Sequence, residues 1–203
     1  MKLHVIKYPF PHVVINDYFT EEELKRVWKE LNFLTQKDKL QIPEKTGTAR
    51  NEDGTPKKRN SGLFLDEVYS NRDISDILKF GRKIFDDVES RKIIANSCWE
   101  LKPWLDGIGR FTTLVSYYED SDYYKPHKDI GFFTTLVHLF TEPKHYTGGE
   151  LYFPEFDFTV PTVYNRMFIF PSQLEHQVNL VKMNNSDFSG YGRYTITQLC
   201  SSF

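Results

Sequence analysis

The sequence predicts an α+β protein, mainly β, folded as a double-stranded β-helix (jelly roll) with amino-terminal helices packed on one sheet. Three observations carry this. Before residue 110 apolar residues recur at helical spacing, and after Arg110 the period changes to two. Eight short strand candidates follow one another with turn signals between them, as double-sheet jelly rolls require. Aromatic residues make up 16% of the chain, with 17 Phe and 12 Tyr, which favours strands over a helical bundle. At 203 residues the chain is long enough for one domain, 1–203, comprising a helical amino-terminal region, 1–110, and jelly-roll strands, 111–200. The helices need the sheet to bury their apolar faces, so no split is expected.

A short strand is expected over His12–Asn16. Thr20 then opens a helix, because Thr20 and Glu23 form a capping box and three glutamates crowd the first turn. Leu24, Val27, Trp28, Leu31 and Leu34 share one face. From Thr35 to Ser61 the pattern stops. This charged stretch, punctuated by Gly and Pro, reads as a long loop with room for a short strand, either a solvated excursion or a substrate lid. A second helix is expected from Ile74 to Val88 and a helical or turn region from Ile93 to Leu105, with Trp99 and Trp104 as core aromatics. The strand candidates are Phe111–Tyr118, Tyr124–Asp129, Phe132–Phe140, Glu150–Phe153, Phe156–Val160, Arg166–Phe170, His176–Val181 and Tyr191–Leu199. Turns are expected at Glu119–Asp122, Gly148-Gly149, Pro161 and Met183–Gly190.

The bulk numbers exclude some functions. A formal net charge of -2 supplies no positive field, which argues against nucleic acid as a partner. No apolar run is long enough for a membrane helix, and the start of the sequence lacks a signal-peptide pattern, so a soluble cytoplasmic protein is expected. Two separated cysteines, Cys98 and Cys200, suit a reducing compartment and rule out a zinc ribbon.

In a strand, residues i and i+2 face the same way, so His127 and Asp129 can offer one nitrogen and one oxygen to a single metal. By itself His-x-Asp is common, and a surface strand pair is its default reading. His176 offers a third ligand from a later strand. Two histidines and one carboxylate leave coordination positions open, which suits Fe(II) chemistry with dioxygen. Arg193 opens the last strand. An inward arginine is costly unless paired, and its planar fork fits a carboxylate best. Thr195 and Thr197 share its parity, so Thr197 can add a hydroxyl to the same carboxylate.

Several runs carry a resemblance: Tyr118 with Tyr124-Lys-Pro-His127-Lys-Asp129, Thr134-Thr135-Leu-Val, Gly148-Gly149-Glu-Leu, Phe168-Ile-Phe-Pro, Glu175-His176-Gln-Val and Gly192-Arg193-Tyr-Thr-Ile. In this order and spacing the sequence resembles the prolyl 4-hydroxylase-type group of 2-oxoglutarate/Fe(II)-dependent dioxygenases. The likeness runs from Phe111 to Leu199 and extends to Tyr8–Leu34. It implies Fe(II) held by His127, Asp129 and His176, 2-oxoglutarate as co-substrate anchored by Arg193, and ascorbate as reductant. It also implies Tyr118 lining the co-substrate pocket and Tyr124 as an aromatic beside the first ligand, near the substrate. Leu139 stands where many relatives have a tyrosine that touches the co-substrate, so that contact is lost or replaced. His138 reads as structural, pointing away from iron. If Arg193 is not the anchor, Arg166 and Lys182 are the next candidates. The resemblance implies dioxygen and a peptide or protein substrate, proline first. A free amino acid or other small molecule on the same core, and a non-enzymatic jelly-roll binding protein, are the alternatives. The Lys57-Lys58-Arg59 run can embrace an acidic or extended chain, or simply be a solvated face.

Overall fold

The computed structural model describes residues 1–36, 39–185 and 190–202. The first strand, β1 (Lys2–Ile6), was not expected; it pairs antiparallel with β2 (His12–Asn16), the expected one. Helix α1 (Glu21–Leu34) starts as its sequence dictates. The Thr20 hydroxyl accepts from the Glu23 amide at 3.2 Å, and the Glu23 carboxylate accepts from the Thr20 amide at 2.8 Å. Val27, Leu31 and Leu34 are buried on its inner face.

The segment expected as a loop over 35–61 is more ordered than its composition suggests; its residues 37 and 38 lie outside the described ones. A 3-10 turn at Pro43–Lys45 precedes β3 (Lys58–Arg59) and β4 (Ser61–Phe64). Its ties are polar, which is why the apolar pattern missed them. The Lys57 amide donates to the Ala49 carbonyl at 2.8 Å, and the Ala49 amide to the Tyr124 hydroxyl at 3.0 Å.

The helix expected over Ile74–Val88 is broken. After α2 (Leu65–Val68) come α3 (Asp76–Gly81), α4 (Lys83–Asp86) and α5 (Val88–Ser97), then α6 (Lys102–Gly107). Ser75 and Asp87 each cap the helix that follows, their side chains accepting from Leu78 and Ser90 amides, and this resets the chain direction. Trp99 and Trp104 are not core residues as expected: Trp99 is 73% exposed, and Trp104 is 36% exposed with one edge on Phe133.

The remaining strands are β5 (Arg110–Tyr118), β6 (Tyr123–His127), β7 (Phe133–Leu139), β8 (Tyr146–Gly148), β9 (Leu151–Phe153), β10 (Phe158–Val160), β11 (Arg166–Pro171), β12 (His176–Val178), β13 (Val181–Met183) and β14 (Arg193–Ser201). Two were not expected as separate strands: β8, read as a turn approach, and β13, which pairs with it as a small ribbon. Of the Met183–Gly190 turn, residues 186–189 lie outside the described ones. The strand expected from Phe156 begins only at Phe158, because Asp157 takes a left-handed conformation, φ 45°.

Seven strands form a large sheet in the order β1-β2-β11-β7-β14-β5-β4, and five a smaller one, β10-β9-β12-β6-β3. Strands from the first 64 residues therefore complete both sheets. Alternation sorts the large sheet's side chains. Val115, Phe133, Val137, Met167, Ile169, Tyr194 and Ile196 join the helices in one core. Leu136, Phe168 and Phe170 face the smaller sheet, meeting Leu151, Phe153 and Val178. No helix among the described residues is long and apolar enough to cross a membrane.

Within residues 43–61, the exposed hairpin tip around Gly54 should be cut first by protease. Trypsin should cleave after the exposed Arg50 well before it cleaves after Lys58, which is 4% exposed. Mass spectrometry of the first fragments checks this, and a first cut after Lys58 would contradict the pairing of β3.

Candidate metal centre and its cavity

Strands β6 and β12 pair so that His127 and His176 are direct partners. Opposite residues on one face bring their side chains together, and the two rings lie 4.3 Å apart between centroids. Asp129 comes to the same point by a different route from the one its spacing suggested. The strand ends at His127, and the chain turns so that the Asp129 amide donates to the Ser172 carbonyl at 2.9 Å. One carboxylate oxygen then lies 3.7 Å from His127 Nε2 and the other 3.4 Å from His176 Nε2. The ligand atoms of the three residues all fall within 4.8 Å of one another, so the group can hold a metal ion.

The surroundings prepare these side chains for that task. His127 Nδ1 is 2.8 Å from the Lys125 carbonyl and His176 Nδ1 is 2.9 Å from the Leu174 carbonyl. A carbonyl only accepts, so each Nδ1 carries the proton and each Nε2 presents a lone pair. The Tyr124 ring stacks on His127 at 3.5 Å and 10°. Thr134 donates its hydroxyl to Asp129 at 2.6 Å, and Ser172 Oγ lies 3.1 Å from Thr134 Oγ1. Burial, helped by His176, pushes His127 down to about 3, with Asp129 opposing. Burial alone would raise Asp129, but the hydrogen bond and charge of His176, with His127 and Thr134, hold it at about 2. The group is thus a carboxylate with a neutral His127.

A cavity of about 630 Å³, counting its mouth, opens over these ligands. Leu114, Ser116 and Tyr118 of β5 line it, facing Arg193, Thr195 and Thr197 of β14 across the ladder. Arg193 is 1% exposed, and among the described residues none of its three guanidinium nitrogens has a hydrogen-bond partner. Its guanidinium lies 4.8 Å from the Tyr118 ring centroid. The Thr195 hydroxyl is also buried and unpartnered. Glycine makes room here. Gly149 has φ +73°, and a Cβ there would come within 2.9 Å of Arg193 Cδ.

The structure brings His127, Asp129, His176, Tyr118, Tyr124, Arg193 and Thr197 to one cavity. Arg166 is committed elsewhere, donating to Asn16 at 2.7 Å. One expectation is reversed. Leu139 packs in the helix-side core, whereas His138 has the parity of Thr134 and Leu136 and faces the space between the sheets, buried with both ring nitrogens unpartnered. Burial, then Arg193, Lys144 and Arg166, hold His138 well below the usual histidine range. Sequence reasoning missed Thr134 as a support for Asp129, and Thr46, Gly47, Lys58 and Ser116 as cavity residues. Thr134 stood in a run already singled out, and Lys58 stood in a charge run that does not distinguish it from its neighbours.

No family model matches the chain, and no curated protein does. Among solved structures, it is similar to a Pseudomonas putida prolyl-4-hydroxylase, with TM-score 0.61 and 13% identity over 95% of this chain and 92% of that one. It is similar to a prolyl hydroxylase from Trichoplax adhaerens in complex with a hypoxia inducible factor oxygen degradation domain peptide fragment, with TM-score 0.63 and 15% identity over 94% and 83%. It is also similar to an oxidoreductase of the 2OG-Fe(II) oxygenase family from Burkholderia pseudomallei, with TM-score 0.55 and 12% identity over 94% and 84%. The likeness is one of fold, the double-stranded β-helix with helices on the larger sheet.

If Thr134 orients Asp129, Thr134→Val, which keeps the shape and removes the donor, should weaken divalent metal binding roughly ten- to a hundredfold. Calorimetric titration with Mn(II) measures it, and an unchanged affinity would mean that Asp129 needs no such support.

Proposed function

We propose that this protein is an Fe(II)- and 2-oxoglutarate-dependent dioxygenase that hydroxylates a C–H bond of an organic substrate and releases succinate and CO2. One observation carries the reading. Arg193, a buried guanidinium without a hydrogen-bond partner, lines the same cavity as three convergent metal-ligating side chains. A 2-oxo dicarboxylate satisfies both, with its keto-acid end at the metal and its far carboxylate on the planar fork. Two histidines and a carboxylate suit ferrous iron because they leave positions open for that keto acid and for dioxygen.

Each residue has a task in this reading. His127 and His176 offer Nε2 in a fixed tautomer, and Asp129, held by Thr134, supplies the one negative charge. Arg193 binds the distal carboxylate, with the Tyr118 ring beside its guanidinium and Thr195 and Thr197 as hydroxyl donors on the same strand face. Leu114, Leu136, Leu151, Val178 and Leu199 line the cavity and exclude water. Tyr124 fixes the His127 ring by stacking and ties the Ala49 segment to the mouth. Bound iron supplies activation of dioxygen coupled to decarboxylation of the keto acid, with ascorbate as the reductant that keeps it ferrous.

For the substrate, likeness in fold to prolyl hydroxylases, one of them bound to a peptide fragment, supports a peptidyl proline across the mouth. A free amino acid or other small molecule on the same core is the second reading, and the position of Lys58 favours it. The full set of three convergent metal-ligating side chains and Arg193 in one cavity argues against a binding protein without catalysis.

His127→Ala, Asp129→Ala and His176→Ala should each lose Fe(II), read by metal analysis, while circular dichroism stays that of the parent. Iron retained by His176→Ala would remove it from the ligand set. Arg193→Gln should weaken 2-oxoglutarate binding to the metal-loaded protein by about 2 kcal/mol or more, since a desolvated charged pair is lost. Arg193→Lys should recover only a fraction, because a point charge does not reproduce the fork. The reading as a whole is tested by following succinate while the iron-loaded protein is offered peptide and metabolite pools. No pool raising succinate above background, with both iron and 2-oxoglutarate bound, would refute it.

A further inference from the structure

Lys58 sits in the middle of a basic run, yet it is set apart from both neighbours. Lys57 donates to the Pro126 carbonyl at 2.9 Å, and the exposed Arg59 pairs with Asp122 at 3.5 Å. Lys58, paired with Tyr124 across the β3–β6 ladder, is only 4% exposed and lines the cavity with Asp129, His127 and His176. Its ammonium has three donors. One reaches the Thr46 carbonyl at 3.2 Å, and the Tyr124 ring centroid lies 5.4 Å away. Among the described residues it makes no ion pair.

Charge in the cavity does not balance. Among the described residues two cations, Lys58 and Arg193, line it, and Asp129 is the one acid. A dianionic co-substrate offsets a divalent metal, so the loaded site keeps one excess positive charge. Arg193, the dicarboxylate, Asp129 and the metal neutralise one another, which leaves the excess at Lys58. Burial, partly opposed by the charge of Asp129, pulls this lysine down to about 8. A buried ammonium is stabilised by an anion that reaches it, and Lys58 lines the same cavity as His127, Asp129 and His176, within which an acid group of a substrate would meet it.

We propose that Lys58 binds a carboxylate of the primary substrate, so that the enzyme selects molecules with a free acid group close to the carbon that reacts: a free amino acid, or the carboxy-terminal residue of a peptide. This rests on the dioxygenase reading above and narrows its substrate class. Lys58 also holds the Thr46 carbonyl, a purely structural task, and the two roles separate in experiment. A structural role affects every substrate alike, whereas a carboxylate contact distinguishes an acid from its amide.

The test uses the Fe(II)- and 2-oxoglutarate-loaded protein without oxygen. Four probe pools are offered: the free amino acids, their amides, and amino-capped tripeptides with free or amidated carboxy termini. Paramagnetic broadening of ligand proton signals reports binding beside the iron, and responders are titrated. At least one acid pool should respond, with affinity roughly ten- to a hundredfold above the matching amide, as befits a charged contact. Which acid pool responds separates the amino acid from the peptide terminus. In Lys58→Met that preference should vanish, and in Lys58→Arg some of it should remain. Equal binding of acids and amides, silence from both acid pools, or a preference that survives in Lys58→Met overturns the proposal. So does a fall in 2-oxoglutarate affinity in Lys58→Met as large as that in Arg193→Gln, which would give Lys58 to the co-substrate. If the parent protein fails to bind 2-oxoglutarate, the dioxygenase reading itself falls. Normal 2-oxoglutarate binding without acid preference removes only the role of Lys58.

Discussion

An arginine buried without an acidic partner is the constraint around which this fold is arranged. Removing a guanidinium from water costs several kcal/mol unless its charge and donors are met. Arg193 is 1% exposed, and its nitrogens have no hydrogen-bond partner among the described residues. The cost is tolerable only because neighbouring strands hold the side chain out of the apolar core. Tyr118 gives it a ring face, Gly149 leaves room for its aliphatic stem, and the cavity keeps its fork open to a ligand. A buried, unpartnered fork of this kind is what supports the proposal of a ligand with a carboxylate.

The second requirement is that the metal ligands converge without flexibility. Pairing of β6 with β12 sets His127 opposite His176, and the backbone carbonyls of Lys125 and Leu174 fix both tautomers. Asp129 hangs between the two sheets, its amide on Ser172 and its carboxylate on Thr134. Metal site and arginine are therefore not independent features. Both are carried by the same two-sheet sandwich, and the helices behind the large sheet keep β7 and β14 flat against each other through Val137, Tyr194 and Ile196.

Much of this was legible in the residues. Period-two alternation located β5, β7, β11 and β14 to within a residue or two, because each has one face against helices and one against the other sheet. The capping box at Thr20 marked the start of α1. That His127, Asp129, His176 and Arg193 would meet at one cavity was legible because few residue types suit a metal ligand or a carboxylate anchor, so their pattern stood out. What was missed has physical reasons. The segment before β4 is held by polar backbone contacts, which leave no apolar period. An interruption at Arg82 and the cap at Asp87 broke a helix whose hydrophobic pattern ran on. Trp99 shows that a large aromatic by itself does not report burial. The facings of His138 and Leu139 came out reversed because the face of a strand depends on register, and a shift of one residue reverses it. Lys58 was visible only within a charge run, whose usual meaning is a solvated face.

The central claim is that one dicarboxylate bridges the metal centre and Arg193. A crystal structure of the protein grown without oxygen, with Mn(II) in place of iron and 2-oxoglutarate present, tests it most directly. The metal should sit on His127 Nε2, Asp129 and His176 Nε2, with the keto-acid end of the ligand on the metal and its far carboxylate on the Arg193 fork. A metal closed off by a fourth protein ligand, or a 2-oxoglutarate that leaves Arg193 unpaired, would contradict it.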